Sequence, residues 1–394
     1  MSVIRKILHL DLDAFFCAVE EQRNASLCGK PFAVGGRPES RGVVASCSYP
    51  ARAFGIHSAM PMSQAVRLCP QLVIVPANHR AYGRCSQEVM ARLRALTPLV
   101  EQLSIDEAFL DVTALGKPAA AVARELQAQI RAELNLPSSL GVATNKLVAK
   151  IANNVGKAAA HKGDYPNAIT LVPPGQEAAF LAPLPCEELW GVGPKTAERL
   201  RSLGLMTIGD IARWPEQDLS ARFGKHGVDL ALHAQGKDTR PVETMRESKS
   251  ISQETTFDRD IRDGDELRRV IRGQAESVAA ELRRKRLTAS TVKLKLRWSD
   301  FTTFTRQTTF AQPTADAEQI TAAALRLLGQ SWGGELIRLV GVGVSGLGKG
   351  AQQLSLWEAP AERAEREKEE RLYRALQFLR QRFGDDAIKR GPSE

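Results

Sequence analysis

The stretch LSIDEAFLD, residues 103–111, places Asp106 and Glu107 side by side in a run that is otherwise typical of a buried strand. A second stretch, HLDLDAFF at residues 9–16, sets Asp11 and Asp13 among leucine and phenylalanine. Because a buried carboxylate is unfavourable unless something compensates its charge, these acids require a partner. If the two stretches lie side by side in one sheet, a divalent metal ion is the partner that the pattern favours.

Two interpretations of the acid pair stay open from the residues alone. Asp11 and Asp106 on different strands, with Glu107 turned to the same site, could hold divalent ions that activate a hydroxyl and stabilise a leaving phosphate. Alternatively, Asp106 and Glu107 cap a hairpin turn, as aspartate often does. Asp13 and Asp111 are interpreted as solvent-facing strand residues.

Length and composition describe an ordinary globular protein with room for several domains. The 394 residues exceed one compact core, so about two to four domains are expected. Hydrophobic residues make up 43% and charged residues 25%, as in most soluble globular chains. Lysine and arginine total 54 against 45 acidic residues, and the net charge of +9 favours a polyanionic partner.

The cysteines and the N-terminus bear on the cellular compartment. Six cysteines without a CxxC pair predict a reducing environment and argue against disulfides or structural zinc: Cys17, Cys28, Cys47, Cys69, Cys85 and Cys186. The N-terminal stretch meets acids too early for a signal peptide. No run in the sequence approaches the ~20 apolar residues that span a bilayer. We therefore expect a cytoplasmic protein.

Hydrophobic periodicity predicts an α/β region in the N-terminal part of the chain. Strands are expected at residues 6–13, 99–105, 107–113 and 138–143, and helices at residues 14–24, 78–97, 118–134 and 145–155. Their order suits a sheet with helices on one face. Residues 25–75 are rich in glycine and proline and are expected to hold two short strands and a helix.

Two further regions follow. Residues 173–237 are helical, with a Gly-Val-Gly turn before Pro194 at a helix start and Gly204 at its end. Residues 238–249 lack periodicity and are interpreted as a linker. Residues 250–347 show the order β-α-β-β-α-β, the split arrangement of ferredoxin-like domains.

Four ordered motifs carry a family resemblance. They are LDLDAFFCAVE at residues 10–20, ASCSYPARAFGIHSAMP at 45–61, LSIDEAFLDVT at 103–113 and GVATNKLVAKIANNVGK at 141–157. Together they resemble the signature of the Y-family DNA polymerases, specifically the bacterial DNA polymerase IV group, over residues 5 to about 350. The resemblance implies an α+β multidomain, right-hand polymerase with a palm, fingers, a helical thumb and a ferredoxin-like little-finger domain.

The resemblance also implies domain boundaries along the chain. The expected domains are a palm at 1–14 and 76–172, fingers at 15–75, a thumb at 173–237, a linker at 238–249, a little finger at 250–347 and a tail at 348–394.

The implied reaction is template-directed, error-prone translesion DNA synthesis in DNA damage tolerance. No acidic cluster in the N-terminal region indicates a separate exonuclease and the length leaves little room for one, so we expect no proofreading. A primer 3′-hydroxyl would attack the α-phosphate of a dNTP and release pyrophosphate, with positioning and charge neutralisation supplying most of the catalysis. By this resemblance Asp11, Asp106 and Glu107 are the catalytic acids and bind two Mg²⁺ ions. The Leu12 backbone carbonyl would add one ligand.

The same resemblance makes Phe16 a steric gate, whose ring excludes the 2′-hydroxyl of a ribonucleotide by shape. Composition alone favours a core position for a phenylalanine beside Phe15. Small residues would form the roof over the nascent base pair and leave the pocket open, namely Gly42, Val43 and Ala45.

The resemblance also implies four dNTP-binding residues, Ser46, Tyr49, Arg52 and Lys157. Arginine suits phosphate because its planar fork donates two hydrogen bonds at once. The segment after Lys157 is longer than in many relatives, so Lys150 and Lys162 are alternatives for the triphosphate lysine.

Two segments are candidates for sequence-independent DNA contacts. GVGPKTAERLRSLG, residues 191–204, resembles a helix-hairpin-helix. Its backbone N–H groups at Gly191, Val192 and Gly193 would bind a phosphate, although a plain packing hairpin also explains it. In the third region, a basic sheet face would follow the duplex backbone, or form ordinary solvated surface, through Lys293, Lys295 and Arg297.

The last expected binding element is QLSLW, residues 353–357. It resembles the peptide by which bacterial polymerases dock on the sliding clamp, its beta subunit, although these residues could also pack back on the chain. The contacts would come from Gln353, Leu354, Leu356 and Trp357. Residues 358–394 are expected to form a charged helical tail, to which we assign no function. The expected partners are primer–template DNA, a dNTP and the clamp, bound by a monomer.

Overall fold

The structure of this chain, a computed structural model, describes residues 4–160, 163–245, 247–349 and 375. Its contacts divide the chain into two compact units. The first runs to Ser248 and includes Thr256–Ile261, and the second comprises Lys249–Thr255 and the residues from Arg262 onward. Across the described residues, no helix combines the length and apolar character needed to cross a membrane.

The first unit alternates strands and helices before it becomes wholly helical. In chain order its elements are β1 (Ile7–Leu12), α1 (Phe15–Arg23), β2 (Phe32–Gly35), β3 (Val44–Cys47), α2 (Tyr49–Arg52), α3 (Met62–Leu68), β4 (Val73–Val75), α4 (His79–Leu96), β5 (Val100–Gln102), β6 (Glu107–Asp111), α5 (Ala119–Leu134), β7 (Ser138–Ala143), α6 (Lys146–Ala159), β8 (Ile169–Leu171), α7 (Glu177–Leu181), α8 (Pro194–Ser202), α9 (Ile208–Arg213), α10 (Glu216–Phe223) and α11 (Lys225–Ala234).

The predicted strands and helices of the N-terminal region are confirmed, and their ends shift by a few residues. The short strands β4 and β8, of three residues each, were not predicted, because so short a run carries little periodicity. Five strands form one sheet in the order β5-β6-β1-β7-β8. A smaller sheet has the order β3-β2-β4.

The five-stranded sheet is buried on both faces, so the expectation of helices on one face is wrong. On one face, Leu8 and Leu10 of β1 share a core with Leu126 of α5. On the other face, Ile7 of β1 packs in a second core with Leu147 of α6. The alternating polar residues of β1 therefore point towards α6, where polar partners meet them, rather than towards solvent.

The interpretation of Asp13 as solvent-facing is also wrong. Its side chain is fully buried just beyond the end of β1. Its carboxylate accepts hydrogen bonds from the Ser139 hydroxyl at 2.8 and 3.0 Å and from the Asn167 backbone N–H at 3.1 Å. Asp111, at the end of β6, is half-buried and accepts from the Thr113 backbone N–H at 2.9 Å. Both acids thus have local structural partners.

A glycine in β7 allows α6 to lie against the sheet. A Cβ added to Gly141 would lie 1.8 Å from the Ala149 carbonyl oxygen and 2.6 Å from the Asn153 backbone nitrogen. Asn145 precedes the helix and caps it, since its side chain accepts from the Val148 N–H at 3.0 Å. This close approach brings the side chains of α6 over the acids of β1 and β6.

The predicted helix start at Pro194 is confirmed, since α8 begins at that residue after Gly193. Gly204 follows the helix in the left-handed region, with φ of 80°, which favours glycine at a helix end. The next helix, α9, begins with a capping box between Thr207 and Asp210.

The second unit confirms the β-α-β-β-α-β order. Its elements are β9 (Ser250–Ile261), of which only the part up to Thr255 is assigned to this unit, α12 (Gly264–Arg284), β10 (Thr288–Trp298), β11 (Thr303–Thr314), α13 (Ala317–Ser331) and β12 (Ile337–Gly348). The strands form one sheet in the order β11-β10-β12-β9. Along β10, Leu294 and Leu296 are buried and alternate with half-buried basic residues. Residues 353–357 and the expected tail helix lie outside the described residues, apart from residue 375.

Because the Cβ of any larger residue at position 141 meets backbone atoms of α6, we expect Gly141→Ala to lower the free energy of unfolding by about 1–3 kcal/mol. Urea denaturation of the full chain measures this change. Gly83→Ala is the matched control, since a Cβ at this position in α4 meets no heavy atom within 4 Å in the described part of the chain. The control should leave stability unchanged or raise it by up to about 1 kcal/mol. Equal stability of Gly141→Ala and the original chain would contradict the close contact.

Candidate active site

The acids of LSIDEAFLD and HLDLDAFF come together at the end of β1, beside the start of β6. The strands are antiparallel, with Asp11 opposite Glu107. One residue further on, the Leu12 N–H donates to the Asp106 carbonyl oxygen at 2.9 Å. Asp11 and Asp106 border one open cavity of about 280 Å³. The residues that line this cavity are Asp11, Leu12, Ala14, Phe15, Phe16, Ala45, Ser46, Arg52, Ser58, Ile105, Asp106 and Lys157.

The turn before β6 is closed by a serine. The Ser104 hydroxyl accepts the backbone N–H groups of Asp106 and Glu107 at 3.2 and 3.1 Å, and it donates to Asp106 Oδ1 at 2.5 Å. A turn therefore lies where the hairpin interpretation placed it, but Ser104 caps it instead of Asp106 and Glu107. Because Ser104 supplies the cap, the carboxylate of Asp106 can face the cavity.

Lys157 of α6 compensates the charge of Asp11. Its Nζ lies 2.6 Å from Asp11 Oδ1 and 3.3 Å from Asp13 Oδ1. Burial raises the pKa of Asp11 to about 6, although Lys157 opposes this shift, and nearby Asp106 adds to it. Burial lowers the pKa of Lys157, but Asp11 and Asp13 outweigh that effect and raise it overall. The positive charge of Lys157 therefore compensates the carboxylates at this cavity only in part.

Glu107 is held beside the cavity by partners of its own. Its Oε2 accepts from Lys150 Nζ at 2.5 Å and from His9 Nε2 at 3.2 Å. Burial works to raise the pKa of Glu107, yet the hydrogen bonds from His9 and Lys150 lower it to about 2. Among the described residues, no three His, Cys, Asp or Glu side chains form a group that could hold a metal ion. The structure therefore brings Asp11 and Asp106 together and leaves Glu107 adjacent to them.

The helix α6 faces the acids with one row of polar side chains. Lys146, Lys150, Asn153 and Lys157 recur at spacings of four, three and four residues, which places them on one side of the helix. Their partners on the sheet are, in the same order, Glu101 at 2.8 Å, Glu107 at 2.5 Å, His9 at 3.0 Å and Asp11 at 2.6 Å. Sequence reasoning missed His9 and Asn153, although the helical spacing of this row was a readable signal.

The ring of Phe16 forms one wall of the cavity. It stacks on Tyr82 of α4 with ring centroids 4.2 Å apart and an angle of 13° between the planes. The Tyr82 hydroxyl donates to Glu20 Oε1 at 2.7 Å, and Glu20 is buried one helical turn after Phe16. Tyr82 was not singled out from the sequence, because nothing local relates position 82 to position 16.

The expected dNTP-binding residues are only partly brought together. Ser46, Arg52 and Lys157 line the cavity, whereas Tyr49 is not among its lining residues. The Arg52 guanidinium lies over the Tyr49 ring, with Cζ 4.8 Å from the ring centroid. Of the alternative lysines, Lys150 binds Glu107 and Lys162 lies outside the described residues.

Of the three expected roof residues, Ala45 lines the cavity, and Gly42 and Val43 do not. Val43 is half exposed and forms an isolated bridge with Pro61.

Some of the groups expected to contact DNA already have hydrogen-bond or ion-pair partners within the chain. The Val192 N–H donates to the Leu189 carbonyl at 2.9 Å, so it does not point outward as expected for a phosphate contact. Gly191 and Gly193 on either side are exposed. In the sheet of the second unit, Lys295 Nζ pairs with Glu254 at 2.8 Å, and Arg297 Nε donates to the Thr303 hydroxyl at 2.8 Å.

Comparison with known proteins gives the family. Residues 10–154 match the model of the impB/mucB/samB family, residues 248–356 match the C-terminal domain of that family, and residues 174–205 match its helix-hairpin-helix motif. A curated relative, DNA polymerase IV of Dehalococcoides mccartyi strain CBDB1, is 39% identical over 98% of this chain and 97% of its own length.

Solved structures agree with this match. A chimera of the Y-family DNA polymerases Dbh and Dpo4 superposes with a TM-score of 0.76 at 27% identity, over 86% of this chain and 98% of that chain. The insertion ternary complex of Dbh DNA polymerase superposes with a TM-score of 0.63, also at 27% identity, over 86% of this chain and 98% of that chain. The chain therefore belongs to the impB/mucB/samB family and, within the Y-family DNA polymerases, to the DNA polymerase IV group.

Proposed function

We propose that this chain carries out template-directed, error-prone translesion DNA synthesis in DNA damage tolerance, without proofreading. It extends a primer 3′-hydroxyl with a dNTP and releases pyrophosphate. The observation that supports this most directly is the cavity where Asp11 and Asp106 lie with Arg52, Lys157 and the ring of Phe16. Acids, phosphate-binding cations and an aromatic wall in one cavity suit the reacting end of a nucleoside triphosphate.

Membership of the family implies a divalent metal cofactor, which we assign as two Mg²⁺ ions. The carboxylates of Asp11 and Asp106, with the Leu12 carbonyl, are the hard oxygen donors that Mg²⁺ prefers. The raised pKa of Asp11, about 6, fits a buried carboxylate that lacks sufficient positive charge. Bound metal supplies activation of the primer hydroxyl and neutralisation of charge on the phosphates.

Glu107 completes the set of catalytic acids in this proposal. Both of its hydrogen bonds, from Lys150 and His9, are made to Oε2. The carboxylate can therefore keep these partners while it offers Oε1 towards Asp11, which lies opposite it in the register of β1 and β6.

The triphosphate is bound by Arg52 and Lys157, with Ser46 and Tyr49 beside them. Arg52 offers a planar fork that matches phosphate oxygens. Lys157 lies 2.6 Å from Asp11, so its ammonium group exchanges that carboxylate for the triphosphate when substrate and metal arrive. Lys157 thereby pairs with Asp11 before substrate binds and with the triphosphate afterwards.

Phe16 selects the sugar by shape in this proposal. Its ring rests on Tyr82, and the buried hydrogen bond from Tyr82 to Glu20 keeps that support in place. The gate cannot retreat without breaking this packing, so a 2′-hydroxyl meets a firm wall. Ala45, Gly42 and Val43 form the roof over the nascent base pair in this proposal. Of the three, Ala45 lines the cavity.

DNA and dNTP are the substrates of this activity, and the remaining contacts are proposals. Phosphates bind at Gly191 and Gly193 and along Lys293, Lys295 and Arg297, without reading sequence. The sliding clamp binds the segment 353–357. We propose a monomer located in the cytoplasm, with the palm, fingers, thumb and little finger at the boundaries expected from the sequence. The sheet with β1 and β5–β8 then lies in the palm, and the sheet with β2–β4 lies in the fingers.

Primer extension on an undamaged template with Mg²⁺ and the four dNTPs tests the proposed function. Asp106→Asn should reduce the rate at least about 100-fold, because a carboxylate that stabilises the metal and the reacting phosphate is lost. Asp111→Asn is the matched control, since this half-buried acid in β6 is not among the cavity's lining residues. Folded wild-type protein that binds DNA and adds no nucleotide would refute the proposal. Full activity of Asp106→Asn would refute the metal assignment.

Single-nucleotide incorporation kinetics test the gate. Phe16→Ala should lower the preference for dNTP over rNTP by about 10-fold to 100-fold, because the ring that meets the 2′-hydroxyl is gone. Phe54→Ala removes an exposed ring of the fingers region that does not line the cavity, and it should keep the original preference. An unchanged preference in Phe16→Ala would assign sugar selection to other residues.

A further inference from the structure

A buried histidine next to the catalytic acids has no role in the function proposed so far. His9 lies in the middle of β1, two residues before Asp11, and its side chain is completely buried. Its ring packs against Phe109 with centroids 4.8 Å apart. An apolar residue would serve packing equally well at this position, so the polar atoms of the ring need an explanation.

The hydrogen bonds of His9 determine which ring nitrogen carries the proton. Asn153 Nδ2 lies 3.0 Å from His9 Nδ1, 3.2 Å from the Ser139 carbonyl and 3.4 Å from the His9 carbonyl. Two of these neighbours are carbonyl oxygens, so the amide nitrogen of Asn153 faces them and donates. His9 Nδ1 therefore accepts, and His9 Nε2 carries the proton.

That proton points at Glu107. His9 Nε2 donates to Glu107 Oε2 at 3.2 Å, and Lys150 Nζ donates to the same oxygen at 2.5 Å. One carboxylate oxygen is thus held by two donors from two different elements, β1 and α6. These two hydrogen bonds fix the rotation of the Glu107 carboxylate, so that Oε1 points away from both donors.

The chain keeps this arrangement although it leaves a polar atom unsatisfied. Among the described residues, Asn153 Oδ1 is buried and has no hydrogen-bond partner. An orphaned buried acceptor is destabilising, so Asn153 is not explained by packing alone. Its donor end, which orients His9, explains why an amide is present there.

We propose that His9 is a positioning residue for the polymerase reaction, which acts through Glu107. Held in its tautomer by Asn153, His9 donates to Glu107 Oε2 together with Lys150 and presents Oε1 to the divalent metal. This inference rests on the proposed function of the same site. Hydrogen-bond partners of metal ligands commonly change metal affinity or activity 10-fold to 100-fold when they are removed.

The test compares three full-length variants. His9→Leu removes the donor at similar volume, and His9→Gln restores an N–H group near the position of Nε2. His233→Leu, the same substitution in α11 and away from the cavity, is the control. We expect His9→Leu to lower kcat about 10-fold to 100-fold with KM for dNTP within about twofold, His9→Gln to recover most of kcat, and His233→Leu to match the original chain.

A second readout does not depend on activity. Mn²⁺ binding to the complex with primer–template DNA and a non-hydrolysable dNTP is followed by electron paramagnetic resonance. His9→Leu should weaken Mn²⁺ binding about 10-fold, and His9→Gln should restore it. If His9→Leu does not fold, Asn153→Ala removes the group that holds the His9 tautomer without changing any charge, and it should weaken Mn²⁺ binding in the same direction.

The outcomes separate this proposal from the function on which it rests. If His9→Leu keeps kcat and Mn²⁺ affinity within about twofold of the original chain, the positioning role is wrong. It is equally wrong if His9→Gln is as impaired as His9→Leu, because a purely structural role would explain both. Failure of the original chain to extend a primer would instead overturn the proposed function itself.

Discussion

The structure depends on charge compensation between the acids of one sheet face and the cations of α6. Glu101, Asp11 and Glu107 lie on neighbouring strands in partly or largely buried positions, where uncompensated carboxylates would be strongly unfavourable. The lysines of α6 pair with them one by one along a single side of the helix. Gly141 favours this arrangement, because a Cβ at that position would lie 1.8 Å from the Ala149 carbonyl oxygen of α6. Fold and site therefore rest on the same contact.

This compensation also prepares the site for its substrates. Lys157 pairs with the carboxylate of Asp11, so in the proposed function a divalent ion can replace the lysine without leaving that charge unpaired. Lys157 is placed for that exchange, since it reaches Asp11 and also lines the cavity with Arg52. Glu107 differs, because its partners Lys150 and His9 hold an oxygen that need not be released. One acid can thus change partner while the other keeps its orientation.

Sequence reasoning reached the strands, the helices and the meeting of Asp11 with Asp106, because strand periodicity and adjacent acids are local signals. It placed Asp13 in solvent, because alternation cannot show that a residue just past a strand turns inward to Ser139 and Asn167. It missed Tyr82 behind Phe16 and Asn153 behind His9, since these contacts join residues 66 and 144 positions apart. Sequence spacing could not choose among Lys150, Lys157 and Lys162 as the triphosphate lysine, because that choice depends on three-dimensional distances.

We propose that lysine and metal exchange places on the acids of this site. A crystal structure of the chain with primer–template DNA, Mg²⁺ and a non-hydrolysable dNTP tests it most directly. We expect Asp11 and Asp106 to hold a divalent ion, Lys157 Nζ to have moved from Asp11 to the triphosphate, and Glu107 Oε2 to be still held by His9. Lys157 remaining within about 3 Å of Asp11, with the metal bound elsewhere, would contradict the account.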